Sequence, residues 1–423
     1  MSLSNWNVTV LGEVCSNIYD CEHKTAPTQE SGYPSIRTPN IGKGRLILDG
    51  VKYVSEEVWT DWTKRAVPKH GDLIFAREAP LGNVALVPEN IKLCLGQRTV
   101  LLRPNPLKVN SAFLCYLLLS PPIQHIMHSR GGGATVPHIN IKEIKKLPLP
   151  IPTLPTQQKI ANILSAYDDL IENNLKRTQL LEKMAQITYE EWFVHLRFPN
   201  HENVTINEET GLPEGWVSGL INQLVDFQNG YAFKSKGFSN HGFPVLKIKN
   251  IGNKTIDILD TDFVNKDVVA GLDRFKLQEG DLLIAMTGAT IGKIGLLPYS
   301  EKTCYLNQRV GRFLPKHGKN NIPYIYQVVG SESGLNQIQN FASGAAQPNI
   351  SGAQILSLEC VIPTSELLEN FNQISKIYFE EILNLQKQNQ NLKQARDILL
   401  PRLMTGMIDV DTYTPPIDME RMA

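Results

Sequence analysis

The residues whose types and spacing suit chemistry are few, and none completes a catalytic arrangement. Gly288-Ala289-Thr290-Ile291-Gly292-Lys293-Ile294 has the outline of a phosphate-binding loop. Its glycine spacing is one residue short, and Ile294 stands where a Ser or Thr would hold magnesium, so no nucleotide is expected there. His125 and His128 fall at i, i+3 on an expected helix, where two imidazoles can share an ion, but no Cys or acidic residue adjoins them. Ser120-Pro121-Pro122-Ile123 keeps only the Pro-Pro of the amino-methyltransferase motif and lacks its polar first residue and aromatic last one. There is no Gly-x-Ser-x-Gly elbow to expose a nucleophile. Cys15, Cys21, Cys94, Cys115, Cys304 and Cys360 are scattered without a Cys-x-x-Cys pair, which argues against a disulfide framework or a zinc site. A reduced, cytoplasmic setting is expected. The chain is read as having no catalytic residue, no metal and no cofactor of its own.

The elements that position the remaining polar residues repeat. Gly71-Asp72-Leu73-Ile74-Phe75-Ala76 returns as Gly280-Asp281-Leu282-Leu283-Ile284-Ala285, a period of roughly 210 residues, too long for a solenoid. Gly82-Asn83-Val84 to Pro88 matches Gly292-Lys293-Ile294 to Pro298, and Leu95-Gly96-Gln97-Arg98 matches Leu306-Asn307-Gln308-Arg309. Asn40-Ile41-Gly42 pairs with Asn250-Ile251-Gly252, Trp6 with Trp216, and Gly133 to Ile139 with Gly344 to Ile350. Each copy contains short apolar runs between Gly and Pro turns, which read as strands. Shorter helices are expected over 111–129 and 324–340.

Each copy is followed by a segment of helical pattern. Ile160, Tyr167, Asn174, Leu181 and Thr188 step by seven, with Leu164, Ile171, Ala185 and Trp192 as a second row. Phe371, Tyr378, Leu385, Leu392 and Leu399 step likewise, with Ile374 and Ile382 beside them. Sevenfold spacing gives a narrow apolar seam suited to coiled-coil packing. Such helices are roughly 50–60 Å long at about 1.5 Å per residue. Thr153 before Pro155, and Thr364 or Ser365 after Pro363, mark the starts, and Pro401 is expected to stop the second. Asn174 either fixes register as a buried polar residue or is an exposed residue beside a frayed seam.

The fold class that follows is α+β: two repeated mixed α/β domains with two long helices, packed antiparallel in a pseudo-twofold arrangement. The expected boundaries are 1–153 and 199–363 for the globular copies, 154–198 and 364–410 for the helices, and 411–423 for a tail of no clear pattern. The chain of 423 residues has a formal net charge of zero, against a protein that binds DNA alone through a broad basic face. Lys234, Lys236, Lys247, Lys249 and Lys254 cluster locally, as a solvated face or as DNA contacts. No apolar run is long enough to span a membrane, and the N-terminus lacks a secretory pattern.

This layout resembles the specificity subunits of type I restriction–modification enzymes. The resemblance is carried by the Gly-Asp-Leu strands, the Gln97-Arg98 and Gln308-Arg309 pairs, Leu147-Pro148-Leu149-Pro150-Ile151-Pro152 and Leu154-Pro155-Thr156-Gln157-Gln158-Lys159-Ile160-Ala161. The ending from Asp397-Ile398-Leu399-Leu400-Pro401 to Gly406 completes it. It departs at Thr156, where the family usually carries an acid. The resemblance implies that each globular copy is a target-recognition domain reading one half of a split site on double-stranded DNA. It implies that the helices form a spacer and dock two methyltransferase subunits that use S-adenosylmethionine. Two motor–nuclease subunits driven by ATP and magnesium complete the complex. One turn inserted into both helices is then expected to lengthen the gap between half-sites. The alternatives are an orphan DNA-binding protein and a coiled-coil scaffold whose globular domains bind protein.

The duplication also sorts the polar residues. Residues shared between copies are expected to hold the fold or touch phosphate, and those that differ to read bases. Gln97, Arg98, Gln308 and Arg309 are shared, and serve scaffold, phosphate contact or internal hydrogen bonding. Arg77 and Glu78 stand opposite Met286 and Thr287, Arg37 opposite Lys247, and His138 opposite Asn349. Arg130 precedes the Gly131-Gly132-Gly133 run. Arg pairs with guanine and Asn with adenine by two hydrogen bonds each. With Lys234 and Lys249 these are the candidate DNA contacts, and Arg77→Ala is expected to alter one half-site or abolish binding.

Overall fold

The computed structural model describes residues 6–132, 137–316, 321–342 and 348–412. The repeat match at 133–136 and 344–347, and the tail beyond Thr412, lie outside the described residues. The chain divides into two compact units, Met1–Leu170 with Leu392–Ala423, and Ile171–Asn391.

The first unit is built on a four-stranded antiparallel sheet in the order Cys15–Asp20, Thr99–Pro104, Leu73–Ala76, Val84–Leu86. Its central strand is apolar throughout because both faces are covered. Leu73 and Phe75 point into a core with Val100, Leu102 and Phe113. Ile74 and Ala76 point into another with Ile36, Ile41 and Leu101. Alternation of side chains across a strand produces this division. Tyr33–Ile36 lies between Lys52–Val54 and Cys94–Leu95, and Asn7–Val10 pairs with Pro148–Ile151.

The second unit repeats this plan. Its four-stranded sheet runs Val225–Asn229, Val310–Pro315, Leu282–Ala285, Ile294–Leu296. Leu282 and Ile284 face one core, Leu283 and Ala285 the other. Phe243–Leu246 lies between Asp262–Val264 and Tyr305–Leu306, and Val217–Leu220 pairs with Glu359–Ile362.

The Gly-Asp-Leu repeat is a clamp at the start of each central strand. Gly71 and Gly280 take φ of +83° and +79°, a left-handed turn that a Cβ would strain. Asp72 then accepts from the Lys69 amide at 3.1 Å and from Arg103 Nε and Nη2 at 2.9 and 2.7 Å. Asp281 accepts from the Gln278 amide at 2.7 Å and from Arg312 Nη1 at 3.0 Å. Both carboxylates are buried.

The long helices are Leu154–Tyr189, continued by a π-helical turn over Glu190–Val194, and Ser365–Met404. Within the second unit they run antiparallel. Asn174 bonds to Asn389, Arg177 to Glu381, and Trp192 packs on Phe371, so one number rises as the other falls. Asn174 is buried. Its Nδ2 donates to Asn389 Oδ1 at 3.0 Å, and Asn389 Nδ2 donates to the Ile171 carbonyl at 3.2 Å. Of the two readings of Asn174, the buried one is found. In the first unit Asp168 accepts from Arg396 at 2.6 Å.

Several expectations need correction. Pro401 does not stop the second helix, which runs on to Met404. Leu403 and Met404 are buried in the first unit's core, and that packing outweighs the hydrogen bond the proline removes. The seam is shifted at places. Ile160, Phe371 and Leu385 are buried, but Tyr167, Leu181, Tyr378, Leu392 and Leu399 are half-buried, and Ile374 is exposed. Asp168 and Phe379 lie deeper than Tyr167 and Tyr378 beside them. A straight helix drifts against a strict seven-residue repeat, so the buried line moves to the neighbouring position. The shorter helices are each broken in two, Ser111–Leu119 with Pro121–Arg130, and Ile322–Gly330 with Glu332–Ala342. Pro121 and Pro122 have no amide to extend the preceding turn, and Ser331 Oγ caps the Gly334 amide. At the second long helix Thr364 is the cap, its Oγ1 accepting from the Leu367 amide at 3.4 Å.

Candidate nucleic-acid interface

At the end of the central strands opposite the clamps, three backbone segments lie side by side. In the first unit the Arg77 amide donates to the Arg98 carbonyl at 3.0 Å, and the Ile139 amide donates to the Arg77 carbonyl at 3.2 Å. Glu78 and His138 face each other as an antiparallel bridge. In the second unit the Met286 amide donates to the Arg309 carbonyl at 3.0 Å, and the Ile350 amide to the Met286 carbonyl at 3.0 Å. Thr287 and Asn349 form the matching bridge. The two rims therefore have one backbone frame and different side chains.

The structure thus brings together Arg77, Glu78, Gln97, Arg98 and His138 in one rim, and Thr287, Gln308, Arg309 and Asn349 in the other. Arg37 and Lys247 adjoin these rims. The Gly96 amide bonds to the Ile36 carbonyl at 2.7 Å, and the Asn307 amide to the Leu246 carbonyl at 3.2 Å, which sets each cation beside a Gln-Arg pair. Arg37 is exposed. Lys247 pairs with Asp262 at 2.9 Å and lies 3.6 Å from the Phe238 ring centroid. Lys249 reaches Asp260 and Asp262, both at 3.6 Å. The hydrogen bond from Lys247 holds the Asp262 carboxyl below its ordinary range. Part of the local lysine charge is therefore neutralised within the domain. Lys234 is exposed at the start of the turn Ser235–Gly237. Arg130 turns back to the Lys146 carbonyl at 3.0 Å, while Gly132, two residues on, exchanges two backbone hydrogen bonds of 2.9 Å with His138 and so ties the glycine run to the rim.

The side chains differ in how much they have left to offer a ligand. Arg77 donates to the Ile139 carbonyl at 3.1 Å and to Asp20 Oδ1 at 3.3 Å, and only 17% of its side chain is exposed. It braces the segment that carries His138. Arg98 pairs with Glu78 at 2.5 Å yet is 64% exposed. It takes a left-handed φ of +67°, uncommon for a residue with a Cβ. Gln97 donates to the His23 carbonyl at 3.2 Å. Gln308, Arg309 and Asn349 are exposed, whereas Thr287 is buried. Exposed Arg and Lys heads suit phosphate oxygens, and Gln, Asn and His at a rim suit base edges.

Reasoning from sequence did not single out Asp20 and His23, which hold Arg77 and Gln97, or Arg103 and Arg312, which hold the clamps. The arginines had no signal from the repeat, since Arg103 aligns with Leu314 and Arg312 with Leu101. Asp20 and His23 had none either, because the second copy has Asn229 and Ala232 there. His125 and His128 are both exposed on their helix. Gly288 begins a short turn, and its amide bonds to the Pro348 carbonyl at 3.0 Å, so the loop resembling a phosphate site is part of the rim frame. Among the described residues no helix is long and apolar enough to cross a membrane.

Comparison with known proteins gives a consistent picture. The family described as type I restriction modification DNA specificity domain matches twice, over residues 3–183 and 213–394, once for each copy of the repeat. The chain is 26% identical over 375 residues to the type I restriction enzyme MjaIX specificity subunit of Methanocaldococcus jannaschii, covering 86% of this chain and 84% of that one. It is 24% identical over 475 residues to the HindI specificity subunit of Haemophilus influenzae, covering 96% and 100%. Among solved structures it is similar to the S subunit of a type I restriction–modification system from M. genitalium, with a TM-score of 0.55, 17% identity and coverage of 95% and 98%. At that identity the last likeness speaks for the fold.

Proposed function

The chain belongs to the type I restriction–modification DNA specificity family, a family of non-catalytic recognition subunits, and on that premise we propose that its two globular copies read the two unequal halves of a split DNA site. The observation that carries this is the pair of rims. One backbone frame presents Glu78 against His138 in the first unit and an exposed Asn349 over the buried Thr287 in the second. A shared frame keeps the approach to the duplex the same, while changed side chains change the bases accepted. Arg37, Arg98 and Arg309 serve phosphate or base contact, Arg77 braces the frame, and Lys247 and Lys249 contribute less because aspartates hold them.

On this reading the recognition copies are 1–153 and 199–363, the helices 154–198 and 364–410, and the tail 411–423. Two similar helices offer two docking surfaces, for two methyltransferase subunits that carry S-adenosylmethionine. Two motor–nuclease subunits, with ATP and magnesium, complete a complex that works in the cytoplasm. A zero net charge fits a subunit whose partners supply much of the phosphate contact.

The test is base-resolution methylation mapping of the source genome with and without this gene. Loss of an adenine mark at a split, asymmetric motif is the expected result. Exchanging the first rim for the second (Glu78→Thr with His138→Asn) should then change one half of that motif and leave the other as it was. If both halves change, or neither does, the division of labour between the copies is wrong.

A further inference from the structure

Beside the first rim, and absent from the second, Asp20, Cys21 and His23 bring one ligand atom each to a common point, all within 4.8 Å of one another. We propose that these three side chains form a binding site for a single zinc-like divalent cation, with water in the fourth position. Zinc takes thiolate, imidazole and carboxylate together, and three protein ligands with an open position is a recurrent form of its sites. Thiolate with imidazole also disfavours magnesium and calcium, which take oxygen ligands.

The surroundings are those of a supported ligand set. Asp20 uses Oδ1 for Arg77 at 3.3 Å, which leaves Oδ2, now 3.0 Å from His23 Nε2, to turn to the metal. A carboxylate ligand whose other oxygen is held by a hydrogen bond is oriented in advance. Cys21 is 1% exposed, so its sulfur is held in one place at the strand end. His23 is 67% exposed at its side chain, and its Nε2 already faces the Asp20 carboxylate, so a small turn of the ring brings it onto an arriving ion. In the second copy Asn229, Gly230 and Ala232 stand at these three positions, so that copy should bind no such ion.

An ion here would fix the loop whose His23 carbonyl holds Gln97, next to the rim. The sequence alone argues against zinc because the scattered cysteines form no Cys-x-x-Cys pair. The strand end at Asp20 supplies the third ligand by turning the chain.

The experiment uses the full-length chain, stripped with a chelator and titrated with cobalt chloride as a spectroscopic substitute and with zinc sulfate by calorimetry. The expected result is one equivalent of each metal bound, with a sulfur-to-cobalt charge-transfer band. His23→Ala, which changes an exposed side chain, should weaken binding at least tenfold with the fold intact. Cys21→Ser should abolish the band. Because Cys21 is buried, that variant is judged by metal stoichiometry only if its circular dichroism matches the parent. Absence of stoichiometric binding, or a band that survives both substitutions, would overturn the proposal.

Discussion

The two copies agree at one end of their central sheets and differ at the other. At the strand starts, Asp72 and Asp281 are each buried against an arginine after the same left-handed glycine, though Arg103 and Arg312 reach them from positions two residues apart in the repeat register. At the rims the frame persists while Arg77, Glu78 and His138 give way to Met286, Thr287 and Asn349. A repeat kept only for stability has no reason to preserve one end and vary the other. The difference separates scaffold from reader within each copy, and the clamps are the place to test the scaffold half. Asp72→Ala leaves Arg103 half-buried without its anion, at a cost of about 3 kcal/mol. Asp281→Ala should also cost about 3 kcal/mol, since Arg312, with only 12% of its side chain exposed, is likewise left without its anion. Native-state hydrogen exchange of Leu73–Ala76 and Leu282–Ala285 reads each copy separately. Unequal losses would show that the two clamps are not the same device.

A second contrast lies where each copy meets the helices. In the repeat register that pairs Ile160 with Phe371, Asp168 corresponds to Phe379 and Arg396 to Ala185. The first unit builds this place from charge: Asp168 accepts from Tyr116 Oη and Arg396 Nη1, each at 2.6 Å. The second builds it from apolar surface, with Tyr326 and Phe379 in edge contact at 4.9 Å and Ala185 buried beside them. Buried ion pairs give little net stability over a well-packed apolar alternative, but breaking one side is costly. A double-mutant cycle with Asp168→Ala and Arg396→Ala, read by hydrogen exchange in the first unit, should give a coupling of about 2 kcal/mol. A coupling near zero would mean that the pair is surface-like despite its burial.

These contrasts also explain what the sequence conveys. The Gly-Asp-Leu strands were legible because burial on both faces demands four apolar residues in a row, and the duplication doubled the signal. The helices were legible from sevenfold spacing, and Asn174 was visible as an interruption, though only its partner Asn389 decides its burial. The depth of Asp168 was not legible. A charged residue beside Tyr167 reads as solvated until Arg396, 228 positions away in the chain, is seen to neutralise it. Rim membership was half legible. The duplication pointed to Glu78 and His138, but Asp20 and His23 are joined to them only by how the chain turns after the strand Cys15–Asp20.

The smallest expected effect concerns a second carboxylate on the first long helix. Where Asp168 has Arg396, Glu182 in the second unit is pushed up to about 7 by burial, offset only in part by the charge of Lys254. In the unfolded chain it returns to the ordinary value of 4.5. Below that pH it is protonated in both states and costs nothing. Between 4.5 and about 7 the unfolded chain releases the proton while the folded unit keeps it, so stability falls as pH rises, and the loss is complete above that window. At about 1.4 kcal/mol per unit, and with solvent reaching part of the side chain, the loss is on the order of 2 kcal/mol. Glu182→Gln should therefore flatten the pH dependence of the second unit's unfolding from pH 5 to 8, and stabilise it at pH 8 by about 2 kcal/mol. Urea denaturation at several pH values checks this. An unchanged slope would mean that Lys254 already neutralises Glu182, and that the two carboxylates are solved in the same way after all.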